Sequence, residues 1–170
     1  MMEPAAMHAD AVGHAVAPVQ VVLALDLAST CGWAMRTASG NITSGSAAFH
    51  LRPGEGPGLR FLRFRRFLID TKAGNEVGRV FYEQVRRHLS TDSAHAYGGF
   101  FAIMAAWCEG NGIRYTGVPV GTIKKHATGK GNAKKGAMVE AMRLLGYDPE
   151  DDNEADALAL LHWALDVRPK

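Results

Sequence analysis

The chain has 170 residues, of which 47% are apolar and 21% are charged. This length is enough for one domain with a sizeable core and is short for two. The apolar content argues against disorder, because burying that surface can offset the entropy lost when the chain is ordered. The 19 Lys and Arg residues and 17 Asp and Glu residues leave a formal net charge of +2, which indicates no partner by itself.

Cysteine usage and hydropathy predict a cytoplasmic protein. Cys31 and Cys108 are the only cysteines, and without metal-ligand spacing around them we expect two small buried side chains. No run approaches the roughly 18 apolar residues of a membrane span, so we expect no membrane partner. Residues 1 to 19 lack the charged and apolar stretches of a signal peptide and are predicted to form a flexible tail.

The first half of the chain predicts strands followed by a helix. A strand buried on both faces is expected over residues 21–27, which are apolar except for Asp26 near the end. The elements that follow are a tight turn over 29–32, a hairpin of 33–36 with 42–49, a loop over 50–58, and a helix with a basic outer face over 59–69.

The second half alternates strands and helices. The expected elements are a strand over 79–85 that carries Glu83, a helix over 94–109, a strand over 113–118, a helical segment over 121–145 interrupted at 128–131, and a last helix over 152–167. Acidic residues at the start of the last helix suit its dipole. The order of elements predicts one mixed-sheet α/β domain over residues 20–168.

Charges segregate strongly in the last third of the chain. Between positions 121 and 147 the basic residues are Lys124, Lys125, Lys130, Lys134, Lys135 and Arg143, against Glu140 alone, whereas residues 148–156 hold six carboxylates and no base. Lysines that neutralise a nucleic-acid backbone beside carboxylates that hold divalent ions are typical of a metal-dependent phosphate enzyme. Charge alone leaves open a solvated basic face beside a solvated helix cap.

Three carboxylates lie in apolar surroundings. Asp26 and Glu83 are placed near the ends of predicted buried strands, where a charge is unfavourable unless it is paired or bound to a metal. Asp156 lies in an Ala- and Leu-rich helix with Asp152 and Asn153 on the same face, at i−4 and i−3. Repulsion at that spacing is tolerable if a divalent cation lies between the carboxylates.

Four blocks of this sequence resemble the RuvC-type Holliday junction resolvases of the RNase H-like superfamily, in the style of their phage-borne members. They are Leu23-Ala-Leu-Asp-Leu-Ala-Ser-Thr-Cys-Gly-Trp-Ala34, Glu83-Gln-Val85, the segment from Ile123 to Lys135 with its Gly129-Lys-Gly131, and Glu154-Ala-Asp-Ala-Leu-Ala-Leu160. Each block is weak alone, but together they occur in the family's order and cover nearly everything except the tail.

The resemblance implies a mixed five-stranded RNase H-like sheet flanked by helices, and a structure-selective endonuclease on Holliday junctions and other branched DNA. It implies a homodimer, two Mg²⁺ ions per active site (with Mn²⁺ as a substitute), and nicks that carry 5′-phosphates. The implied catalytic and metal-binding residues are Asp26, Glu83, Asp156 and either Asp152 or Asn153. The implied DNA-binding residues are Lys124, Lys125, Gly129, Lys130, Gly131, Lys134, Lys135 and Arg86.

Two positions depart from the family pattern. Asn153 stands where the family usually has Asp or His, so Asp152 is an alternative fourth acidic residue. Arg86 follows Glu-Gln-Val where bacterial members carry an aromatic residue that probes the junction centre.

Three possible functions, and two possible roles for one apolar helix, stay open. The chain is either a selective resolvase, a less selective Mg²⁺-dependent nuclease that debranches DNA for phage packaging, or a catalytically silent junction-binding protein. The apolar helix with Phe100, Phe101, Met104 and Trp107 either forms a two-fold interface or fills the core of one chain.

Overall fold

The computed structural model describes residues 19–86 and 90–167. The predicted tail thus lies outside the described residues except for Val19. The strands are β1 (Val21–Asp26), β2 (Thr30–Arg36), β3 (Ile42–Ala48), β4 (Val77–Gln84) and β5 (Arg114–Pro119). The helices are α1 (Leu59–Ala73), α2 (Thr91–Gly110), α3 (Val120–Thr128), α4 (Lys135–Leu144) and α5 (Asp152–Asp166).

The five strands form one sheet in the order β3-β2-β1-β4-β5. β1, β4 and β5 run parallel to one another, whereas β2 runs antiparallel to both β1 and β3. The mixed five-stranded sheet predicted from the sequence is therefore confirmed, with β1 at its centre. Because parallel strands end at the same edge, the C-terminal ends of β1 and β4 lie side by side.

Each face of the sheet carries its own core. Helices α1 and α2 cover one face, where Phe64, Phe100 and Met104 are fully buried, and α3, α4 and α5 cover the other, where Met138 and Leu158 are fully buried. Phe100, Met104 and Trp107 of α2 thus belong to the core of a single chain, which confirms that alternative for these residues. In the described ranges, no helix has the length and apolar character to cross a bilayer.

The predicted turn at residues 29–32 is wrong. Thr30, Cys31 and Gly32 belong to β2, where they pair with the end of β3, and Gly32 also pairs with Asp26 of β1. The polar and small residues that suggested a turn are accommodated because β2 passes under the start of α5, where a small residue is required. α1 also continues beyond the predicted end to Ala73.

Candidate active site

Asp26 and Glu83 lie on adjacent strands and point to the same face of the sheet. Leu25 pairs with Tyr82, so the next residues of these parallel strands are also neighbours, at the strand spacing of about 4.8 Å. Side chains alternate along a strand, and Ala24 and Phe81 both face the core beneath α5. Asp26 and Glu83, two residues further on, therefore face the same side.

The third carboxylate comes from α5, which crosses this face of the sheet. The first turn of α5 packs directly on Gly32, where an added Cβ atom would collide with the backbone carbonyl of Asn153. Because Gly32 pairs with Asp26, this close approach brings the start of the helix beside the end of β1. Asp156 is thereby placed close enough to raise the pKa of both Asp26 and Glu83.

The three carboxylates share a strongly unfavourable electrostatic environment. Burial, followed by the charges of Glu83 and Asp156, raises the pKa of Asp26 well above its ordinary value. Burial and the charge of Asp156 raise the pKa of Glu83 to about 7. Burial raises the pKa of Asp156 to about 6, with a further contribution from Asp152. These residues form one electrostatic cluster, the acidic site.

Two of the predicted DNA-binding lysines border the acidic site. Lys124 of α3 lowers the pKa values of Glu83 and Asp156. Lys135, the first residue of α4, forms an ion pair with Asp152 and lowers the pKa values of Asp26 and Asp156. Lysines that were predicted to contact DNA therefore already neutralise part of the charge of the carboxylates.

Asp152 and Asn153 differ in how they relate to the acidic site. The charge of Asp152 raises the pKa values of Asp26 and Asp156. The side chain of Asn153 is neutral and adds no charge to the acidic site. Of the two alternatives that the sequence leaves open, Asp152 is thus the one in electrostatic contact with the other acids.

All the remaining predicted DNA-binding residues except Arg86 lie in the last turn of α3 or on the exposed connection between α3 and α4. Lys125, Lys130 and Lys134 are exposed, as are the two glycines of this segment, Gly129 and Gly131. Gly129 has a positive φ of 75° and ends α3, and its N–H donates to the carbonyl of Lys125 at 2.9 Å. The termination of the helix explains a glycine there without any contact with DNA.

Arg86 and Tyr97 flank the end of β4. Arg86 is exposed and lies three residues after Glu83. The Tyr97 hydroxyl of α2 donates to the backbone carbonyl of Glu83 at 3.0 Å and accepts from the N–H of Val85 at 3.4 Å. Tyr97 thus ties α2 to the strand end that carries Glu83, a role that sequence reasoning missed because nothing in the local pattern signals it.

Sequence reasoning also missed the role of two carboxylates at the start of α5. The Asp151 side chain accepts from the N–H of Glu154 at 2.8 Å and so caps the helix. The Asp-x-x-Glu spacing is typical of a capping box, so it could have indicated this role. Glu154 is buried, with 7% of its surface exposed.

The donor chemistry of the acidic site fits a hard divalent cation, because its side chains offer only carboxylate oxygens and repel one another. Within residues 19–86 and 90–167, no three His, Cys, Asp or Glu side chains are already grouped so as to hold an ion. Binding would therefore need the carboxylates to move closer together, which a cation favours by cancelling their repulsion.

The RNase H-like fold of this chain is similar to that of solved RuvC structures. Thermus thermophilus RuvC in complex with a Holliday junction substrate aligns with a TM-score of 0.73 at 19% identity, over 88% of this chain and 96% of that chain. A second structure of Thermus thermophilus RuvC aligns with a TM-score of 0.67 at 20% identity, again over 88% of this chain and 96% of that chain. The yeast mitochondrial Holliday junction resolvase Ydc2 aligns with a TM-score of 0.58 at 11% identity, over 86% of this chain and 78% of that chain.

The sequence matches no known protein-family model and no curated protein. At these identities the solved structures show a shared fold. The implied fold is thus confirmed, while the phage-style character of the chain stays a prediction.

Proposed function

We propose that the protein is a structure-selective endonuclease that resolves Holliday junctions and other branched DNA. The observation that carries this proposal is the convergence of Asp26, Glu83 and Asp156, from two strands and a helix, into one acidic site bordered by Lys124 and Lys135. The similarity to a RuvC structure bound to a junction supports four-way DNA as the substrate.

Asp26, Glu83, Asp156 and Asp152 would hold two Mg²⁺ ions, with Mn²⁺ able to replace them. Asp26 is influenced by the charges of Glu83, Asp156 and Asp152 together, so we assign it a central role among the residues that would hold the ions. When bound, divalent cations supply activation of the attacking water and stabilisation of the leaving oxygen in phosphodiester hydrolysis. The products we expect are nicks with 5′-phosphate and 3′-hydroxyl ends.

The protein's own groups have separate roles in this scheme. Tyr97 holds the backbone at Glu83. Lys124 and Lys135 attract the phosphate backbone towards the carboxylates. Lys125 at the end of α3, with Lys130 and Lys134 on the segment that follows it, extends the basic surface. Gly129 and Gly131 leave room there for close approach of DNA, and Arg86 lies at the same edge of the sheet as Glu83.

We further propose that the protein acts as a homodimer, because symmetric cutting of a four-way junction needs two active sites. Phe100, Met104 and Trp107 are buried within one chain. The interface must therefore use other residues.

The experiment that tests the proposed function is a cleavage assay with magnesium titrated in, on four-way junctions, flaps and linear duplexes. We expect nicking of branched DNA that depends on magnesium. Asp26→Asn should reduce nicking by about 10³-fold or more while junction binding is retained, because the residue acts on the chemical step. Asp70→Asn, which removes an exposed carboxylate of α1, is the matched control and should leave nicking unchanged.

Each alternative has its own outcome in this assay. Equal cleavage of linear and branched DNA would identify a less selective nuclease. Junction binding without nicking at any magnesium concentration would identify a silent binding protein, and either result would contradict the proposal.

A further inference from the structure

Two carboxylates of the first turn of α5 are bonded to β3, away from the acidic site. The Ser44 hydroxyl donates to Oε1 of Glu154 at 2.6 Å, and the Ser46 hydroxyl donates to Oδ1 of Asp151 at 2.7 Å. The second oxygen of Glu154 accepts from the backbone N–H of Glu150 at 2.8 Å. We call Ser44, Ser46, Asp151 and Glu154 the β3 clasp.

The clasp and the acidic site use opposite sides of the same helical turn. Glu154 follows Asp152 by two residues and precedes Asp156 by two, which in a helix is a rotation of roughly 200° in each case. Both oxygens of Glu154 accept hydrogen bonds on this side of the helix, one from Ser44 and one from the backbone N–H of Glu150, so the carboxylate is directed away from the acidic site. Its bonds instead fix the rotation of the turn that carries Asp152 and Asp156.

A second contact fixes the same turn from below. β2 lies between β3 and β1 in the sheet, and the turn passes over Gly32 of β2 in close contact with its backbone. The first turn of α5 is thus held at β3 by the clasp and supported at β2 by Gly32. Between them these contacts set how far the acidic face of the helix reaches towards Asp26.

We propose that the β3 clasp positions Asp152 and Asp156 for cation binding, with Ser44 and Glu154 as positioning residues. The proposal rests on the proposed function, since it assigns the acidic site to divalent cations. Partners that orient metal ligands without touching the ion typically change metal affinity or activity by about 10- to 100-fold when removed. The clasp acts in a similar way through the backbone, because its charge-assisted bonds hold the helical turn that carries two of the acids.

The test measures Mn²⁺ binding to the full-length protein by electron paramagnetic resonance, together with kcat and KM for junction nicking. We expect Ser44→Ala with Ser46→Ala to weaken Mn²⁺ binding by about tenfold and to lower kcat with little change in KM for DNA. Glu154→Gln should have an intermediate effect, since its amide has one acceptor oxygen instead of two and lacks the charge that strengthens both bonds. Ser44→Thr retains the hydroxyl group, so this variant should keep most of the wild-type affinity for Mn²⁺.

Thr43→Ala is the matched control, because Thr43 is exposed on the same strand and alternates to the other face. It should leave Mn²⁺ binding unchanged. If the serine variants lower the melting temperature but bind Mn²⁺ as tightly as the wild type, the clasp only stabilises the fold and the proposal is overturned. A wild-type protein that binds no Mn²⁺ would instead overturn the proposed function, so the two failures are distinguishable.

Discussion

At the acidic site, burial and neighbouring carboxylates raise the pKa values of the acids, whereas Lys124 and Lys135 lower them. The charge of Lys135 lowers the pKa values of Asp26 and Asp156, and its ion pair with Asp152 raises its own pKa. Without such neighbours, burial and mutual repulsion would push the pKa values of the acids still higher. A lysine here therefore favours the ionised form of the carboxylates and at the same time presents positive charge to an approaching phosphate.

The first prediction concerns the two lysines that border the acidic site. Lys124→Ala combined with Lys135→Ala should weaken junction binding and reduce the slope of log K against log salt by about 1 for each lysine, because each phosphate contact releases about one counterion. Fluorescence anisotropy over a salt series measures this slope.

A matched pair of changes removes equal charge at the opposite edge of the sheet. Lys72 lies in the last turn of α1 and Arg114 begins β5, and both are exposed. Lys72→Ala with Arg114→Ala should leave the salt slope close to that of the wild type. If both double variants reduce the slope equally, the surface that binds DNA has been misplaced.

The sequence pattern predicted the acidic residues of the site but not the residues that hydrogen-bond to the elements carrying them. Asp26 and Glu83 stand out because a charge within an apolar strand is unfavourable unless it is paired or bound to a metal. The alternation of side chains along the two strands then predicts that both face the same side of the sheet. Tyr97 and Ser44 give no such signal, since each acts through hydrogen bonds to residues distant in the chain. Only the folded arrangement of α2 against β4, and of α5 against β3, reveals them.

At the scale of elements, the approach of α5 to the sheet decides whether the acids meet. Strand and helix order was predictable from periodicity, because long apolar runs and helix-ending glycines mark the elements. The start of β2 was predicted wrongly, since Ser29, Thr30 and Gly32 resemble a turn when the helix above them is not known. The small residue at position 32 serves the packing of α5 and not a change of chain direction.

The second prediction follows from that contact. Gly32→Ala places a methyl group against the backbone carbonyl of Asn153, so α5 must move away from the sheet. We expect a loss of about 1–3 kcal/mol in the free energy of unfolding, the usual effect of overpacking, and weaker Mn²⁺ binding because Asp156 moves with the helix. Chemical denaturation and Mn²⁺ titration measure the two effects.

Gly56→Ala is the control for this change. A Cβ atom at Gly56 would meet nothing within 4 Å, so this variant should match the wild type in stability and in Mn²⁺ binding. A Gly32→Ala protein with wild-type properties would show that α5 does not depend on this close approach.

At the scale of the whole molecule, the acidic site makes stability depend on pH. The pKa of Asp156 rises from 3.8 to about 6, and that of Glu83 rises from 4.5 to about 7. Between about pH 4 and pH 7 the folded protein therefore binds more protons than the unfolded chain. Its stability should decrease as pH rises through this window when no metal is present.

The third prediction tests this dependence by thermal or urea unfolding in a chelating buffer. The metal-free protein should be more stable at pH 5 than at pH 7.5, and Mg²⁺ should reduce the difference because it neutralises the ionised carboxylates. Asp156→Asn should raise the free energy of unfolding at pH 7.5 by about 1–3 kcal/mol without metal, since it removes one unfavourable charge. A wild-type protein of equal stability at both pH values would argue against a repulsive cluster.

The measurement that tests the whole account most directly is anomalous diffraction from crystals grown or soaked with manganese. We expect manganese bound by carboxylate oxygens of Asp26, Glu83 and Asp156, beside Lys124 and Lys135. A structure in which these three carboxylates remain apart, with manganese absent from the space between them, would contradict the account.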